Sequence, residues 1–138
     1  MANKKKLTFC IMDGPYENAR TVTALRLIDI AAKRGYDQTV FAYEGGVSLT
    51  FAKQEKHANS VQGASLGVWD HPLPREWVAS IMETARANGG SVDWINCGLC
   101  VDERGVGEAI EGTRRGAPSH LLEAADASDG TLIIGARG

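Results

Sequence analysis

In the stretch WINCGLCVDERGV (94–106), Cys97 closes an apolar run and Cys100 follows three residues later, just before a cluster of charges. Thiols at that spacing suit three chemistries: a redox dithiol, half of a metal site, or a nucleophile that carries a transferred group. The remaining cysteine, Cys10, lies inside another apolar run, where a small buried hydrophobe is the simplest reading.

The metal reading lacks partners. Structural zinc takes four ligands at regular spacing, and His57, His71 and His120 form no H-x₃₋₅-H pattern. No metal is expected. A thioredoxin-type dithiol fits the spacing better, because a C-x-x-C at a strand-to-helix turn gains thiolate character. Such folds, however, place the pair early and include an antiparallel hairpin, whereas this pair comes late and no hairpin signal accompanies it. The redox dithiol stands as the alternative reading. There is no G-x-x-x-x-G-K-[ST], no G-x-G-x-x-G and no G-x-S-x-G, so no cofactor is expected.

In the carrier reading, a thiolate attacks a sulfane sulfur, holds it as a persulfide and yields it to another thiolate. A thiol at its ordinary pKa of ~8.5 is only about 3% ionised at pH 7, so an accessible cysteine with a nearby cation is required. Arg104, Arg114 and Arg115 are the available cations, and Asp102 and Glu103 oppose them if they face the sulfur.

The elements that position these residues follow from periodicity. LTFCIM (7–12), TVFAY (39–43), VDWINC (92–97) and TLIIG (131–135) read as strands, and their near-continuous apolar character suits a parallel sheet covered on both faces. Helices are expected from Ala19 to Arg34, with Gly35 as a left-handed stop, from Pro74 to about Gly89, and over SHLLEAADAS with Ser119 as N-cap. The stretch 47–71 has no strong period and is expected to hold a short helix and an irregular segment. The alternation predicts a three-layer α/β/α sandwich around a mainly parallel sheet of about five strands, in a single domain spanning 1–138. Parallel sheets place ligands beyond their carboxyl ends. One rim therefore gathers DGPYEN (13–18), YEGG (43–46) and CGLCVDERG (97–105), with Gly14, Tyr16, Tyr43 and Arg104 as candidate binding residues beside the cysteines.

A chain of 138 residues buries roughly 68% of its unfolded surface, enough for a core without staples. Fifteen Lys and Arg against seventeen Asp and Glu leave a net charge of −2, which offers no overall pull toward nucleic acid or anionic lipid. The apolar run after the opening MANKKK is too short for a secretory signal, and nothing approaches a membrane span. A cytoplasmic protein with reduced thiols, no membrane partner and no direct nucleic-acid partner is expected.

Several of these segments together resemble the DsrE/DsrF-like sulfurtransferases: DGPYENAR after the first strand, the K-R-G helix end, FAYEGGV, and INCGLCVDERGV with its strand-terminal cysteine and R-G-V. The resemblance covers nearly the whole chain. It implies that Cys97, eight residues before Gly105, carries sulfane sulfur as a persulfide or thiosulfonate. It further implies a homo-oligomer, a trimer or hexamer, that draws on a donor such as thiosulfate, tetrathionate or polysulfide. A TusA-like carrier would receive the sulfur, in sulfur oxidation or transfer-RNA thiolation. Cys100 departs from the family pattern, and three roles stay open for it: resolving the persulfide, holding a second sulfur, or lining the pocket. A non-catalytic sulfane-sulfur binding module is a further alternative. Trp77 and Trp94 are expected in the core, and Trp69 at an interface.

Overall fold

The computed structural model describes residues 4–16, 18–56 and 72–135. Trp69, His57 and His71 lie outside the described residues.

Five strands form one sheet: β1 (Lys6–Ile11), β2 (Asp37–Ala42), β3 (Ser91–Cys97), β4 (Thr113–Gly116) and β5 (Gly130–Ile134). Their order is β4-β3-β2-β1-β5, and every pairing is parallel. Four of these strands match the apolar runs read from the sequence to within two residues. The fifth, β4, was not expected. Its sequence TRRG carries no apolar signal because it is a short edge strand whose side chains stay largely at the surface.

The helices are α1 (Ala19–Lys33), α2 (Pro74–Ala87), α3 (Gly98–Arg104) and α4 (Pro118–Ala127). Asn18 caps α1 by accepting a hydrogen bond from the Arg20 amide at 2.7 Å. Gly35 stops that helix with φ +72°, and a Cβ there would lie 2.4 Å from the Asn88 carbonyl oxygen. Both backbone angle and close approach demand glycine. The start of α4 corrects the expectation of a Ser119 cap: Ala117 is the N-cap and Pro118 opens the helix. Proline's fixed φ suits the first turn, and the orphan Ala117 amide donates to His120 Nδ1 at 2.9 Å.

Side-chain alternation assigns the layers. Gln38 donates to the Ile28 carbonyl of α1, so the even positions of β2 face α1, which packs against α2. Ile95 and its partner Phe41 face the other way, toward His120 of α4, since a Cβ at Gly116 would touch both Ile95 and His120. The result is the expected α/β/α arrangement around a parallel sheet. The α4 layer is thin: no residue of α4 is buried, and Leu122 and Ile133 remain 65% and 62% exposed. The core is dense between the other layers, with Trp94, Phe9 and Leu25 buried and Trp77 packed against the core.

Cys10 stands in β1 with no exposed surface, and burial pushes its thiol up to about 11 from an ordinary 9.0. A thiol whose pKa is higher folded than unfolded stabilises fully below the unfolded value, and that contribution disappears as the pH rises through the folded one. The window therefore runs from 9.0 to about 11, and the loss amounts to roughly 2–3 kcal/mol. Urea unfolding across that window is expected to lose roughly 2–3 kcal/mol more in the wild-type protein than in Cys10→Ala, other buried thiols contributing to both. Identical pH slopes for the two proteins would exclude the assignment.

Candidate functional site

The parallel sheet brings the ends of β1, β2 and β3 to one rim, and the chain leaves each by a different device. After β2 comes Tyr43, then a 3₁₀ segment, Glu44–Thr50, with Val47 and Leu49 buried. The short helix expected within 47–71 is this segment, which begins earlier, at Glu44. Two glycines let it press on the end of β1: a Cβ at Gly46 would sit 2.2 Å from the Ile11 carbonyl oxygen, and one at Gly45 would sit 3.2 Å from the Gly14 amide nitrogen. Gly14, a candidate from the sequence, thus belongs to the backbone wall beneath the segment.

After β3, Cys97 caps α3 and Cys100 lies one turn along it. Two residues beyond Ile95, Cys97 shares the α4 face of the sheet. Gly105 ends α3 in the left-handed conformation, φ +63°, and the Val106 amide returns to the Val101 carbonyl at 3.0 Å. The spacing between Cys97 and R-G-V is therefore the length of one short helix with its glycine stop.

The two thiols stand one turn apart at the start of α3, and both are buried. Cys100 Sγ accepts the Glu44 amide at 3.2 Å. Glu44 reaches that position with φ +50°, a left-handed angle that costs a non-glycine residue about 1 kcal/mol or more. Burial, then the Cys97 contact, pushes the Cys100 thiol up to about 11, against the smaller opposing effect of the Glu44 N–H. Cys100 is therefore protonated at neutral pH. Tyr43 stands beside the pair with its ring 5.7 Å from Phe41. Its pKa is raised by burial and then by Cys100, Glu44, Cys97 and Glu103, which keeps the phenol a proton donor.

The cations are distributed differently from the simplest expectation. Arg104 pairs with Glu44 at 2.7 Å, locking α3 to the 3₁₀ segment. Arg114 grips Asp93 through two hydrogen bonds of 2.9 and 3.0 Å. Arg115 bonds the Gly98 carbonyl and Asp102, both at 2.9 Å, and its charge interacts with the Cys97 sulfur. Asp102 is thereby neutralised, and Arg115 is the guanidinium applied to the C-x-x-C turn. It stands there because β4 pairs with β3 in a register that sets Arg115 opposite Asn96. A Cβ at Gly98 would crowd Arg115 Nη2 at 3.0 Å, so the glycine between the thiols leaves room for this contact.

The structure thus joins Cys97, Cys100, Tyr43 and, through Glu44, Arg104. Tyr16 is placed elsewhere: its hydroxyl donates to the Pro72 carbonyl at 2.6 Å, and it lines a cavity of about 470 Å³ with Val22, Arg26, Glu76 and Trp77. Glu44 was missed by sequence reasoning, and its only signal was a charged residue immediately before Gly45-Gly46. The expectation of an accessible thiol also needs correction, because Cys97 and Cys100 are only 1% and 3% exposed. Leu99 between them is 68% exposed, so the turn itself is at the surface while its sulfurs point inward. Among the described residues, no three His, Cys, Asp or Glu side chains gather to hold a metal, and no helix is long and apolar enough to cross a membrane.

A model of the DsrE/DsrF-like family matches residues 5–133. Among solved structures, that of the ychN protein from E. coli is similar with a TM-score of 0.72 and 18% sequence identity, over 94% of this chain and 98% of that one. At that identity the likeness speaks for the fold. No curated protein sequence matches.

Proposed function

The chain belongs to the DsrE/DsrF-like family, and from that premise we propose that it is a sulfur carrier of a sulfur relay, loading sulfane sulfur on Cys97 and passing it to a second protein. Family membership supports a function of the sulfur-relay or sulfurtransferase type. The observation that carries the finer reading is the asymmetry of the two thiols. Arg115 interacts with Cys97, whereas burial holds Cys100 protonated. Cys97 is the nucleophile: its thiolate attacks the sulfane sulfur of a polysulfide or of thiosulfate, forming a persulfide as the shortened polysulfide or sulfite leaves, or that of tetrathionate, forming a thiosulfonate as thiosulfate leaves. The outer sulfur of the persulfide then goes to the thiolate of an acceptor such as a TusA-like protein. The 3₁₀ segment with α3 shields the sulfur from water.

The same reading makes the chain a single cytoplasmic domain that assembles as a homo-oligomer, a trimer or hexamer. The thin α4 layer supports this, since Leu122 and Ile133 are exposed on the face that other three-layer sheets cover fully. Light scattering should give a mass well above the 14.8 kDa of one chain. The test of function is intact-mass measurement after incubation with polysulfide, tetrathionate or thiosulfate, followed by addition of an acceptor thiol protein. A gain on Cys97 of about 32 Da with polysulfide or thiosulfate, or of about 112 Da with tetrathionate, whose sulfane sulfur moves to the acceptor is expected. A protein that gains no sulfur from any of the three donors excludes the carrier function.

A further inference from the structure

The carrier function uses one cysteine, yet a second is built against it. Cys100 is buried, stands three residues beyond Cys97 in the first turn of α3, and is held in place by the Glu44 amide. Residues three apart in a helical turn have Cα atoms about 5 Å apart, within the ~4.4–6.8 Å that a disulfide spans. Cys97 Sγ becomes the inner sulfur once a persulfide forms, so it is the atom a disulfide with Cys100 would use.

We propose that Cys100 resolves the Cys97 persulfide, so that the protein also reduces sulfane sulfur to sulfide. This activity rests on the carrier reading of Cys97 and adds a second fate for the sulfur it holds. The Cys100 sulfur attacks Cys97 Sγ, the Cys97–Cys100 disulfide forms, and the bond to the outer sulfur breaks. The outer sulfur takes the electron pair and the Cys100 proton and leaves as hydrosulfide. Sulfane sulfur is thus reduced by two electrons, supplied by the two thiols as they become a disulfide. An external dithiol restores the pair, being oxidised to its own disulfide. An acceptor's thiolate, in contrast, must strike the outer sulfur, which gives transfer with no net oxidation of the carrier.

Two magnitudes decide whether the internal route competes. A thiol near pKa 11 is ionised to only about one part in 10⁴ at pH 7, which slows Cys100. Well-oriented intramolecular groups act at effective molarities of ~10⁵ M or more, against ~1 mM for an external thiol, which more than offsets that penalty. Closure of the site favours the internal route as well, since Cys97 is 1% exposed and a docking partner must first open the turn.

The experiment loads reduced protein with inorganic polysulfide at neutral pH and removes the excess by rapid gel filtration. Sulfide is then assayed and the tryptic peptides are mapped without reductant. Wild-type protein is expected to release about one sulfide per loaded chain and to carry a Cys97–Cys100 disulfide, about 2 Da lighter than the dithiol. In Cys100→Ser and Cys100→Ala, the Cys97 persulfide should persist at least about tenfold longer. A wild-type persulfide that stays on Cys97 without sulfide release or disulfide overturns the inference and leaves the carrier reading standing. If Cys97 never loads in wild type or variants, both fall. Because the wild-type disulfide is read directly, the test does not depend on either variant folding.

Discussion

Cys97→Ser is expected to lower sulfane loading at pH 7 by at least about a hundredfold, because a hydroxyl in place of the thiol is a far weaker nucleophile at neutral pH. Cys100 is not expected to compensate. Burial, the larger cause of its raised pKa of about 11, survives the substitution, and only the second cause, the Cys97 contact, is lost. A thiol whose pKa burial still raises has a reactive fraction at pH 7 below that of an ordinary thiol. The residual loading of the variant should therefore climb with pH as Cys100 ionises, about tenfold per unit below its pKa. The measurement is the rate of mass gain after addition of polysulfide, with adducts trapped by alkylation and located by peptide mapping. Loading of Cys97→Ser at the wild-type rate through Cys100 would reverse the roles of the two thiols.

Gly46→Ala is expected to cost at least about 2 kcal/mol, a fall in Tm of roughly 6–10 °C. The added Cβ would lie 2.2 Å from the Ile11 carbonyl oxygen and 3.0 Å from its carbon, and both atoms belong to β1, which is paired on both sides. Neither can swing aside as a flexible side chain would. The movable partner is the 3₁₀ segment, whose Gly46 amide donates to the Tyr43 carbonyl at 2.9 Å and whose Glu44 amide holds Cys100. Lifting this segment should also expose Cys100, raising its rate of alkylation severalfold in the folded protein. Gly105→Ala is the control. Its φ of +63° disfavours alanine, but no atom lies within 4 Å of the added carbon, so about 1 kcal/mol is expected. Thermal melts within about 1 °C of wild type for Gly46→Ala would show that β1 and the segment can separate at little cost.

By itself the sequence determined the sheet's class and the cysteines' place on its rim. Runs such as LTFCIM and TVFAY are apolar at successive positions, a pattern that only a strand covered on both faces satisfies, and Gly35 and Pro74 mark helix ends through angles that adjacent residues dictate. The spacing from Cys97 to Gly105 was read through the family resemblance, and the structure shows it to be the length of one short helix, α3, with its glycine stop. The family resemblance read from those segments agrees with the family match over residues 5–133. The tertiary structure decided what the thiols meet. The strand β4 has no apolar pattern, and without it nothing in the sequence aligns Arg115 with the turn that carries Cys97. The contact of the Glu44 amide with Cys100 joins residues 56 apart in the chain and depends on a left-handed angle that glutamate rarely takes. Tyr16 reads like its rim neighbours, yet its hydroxyl meets Pro72 beside α2. Burial of both sulfurs beneath an exposed Leu99 likewise follows from how α3 settles against the 3₁₀ segment. Local periodicity and turn chemistry are properties of neighbouring residues, whereas the partners and solvent access of a side chain depend on strand register and on segments far away in the chain.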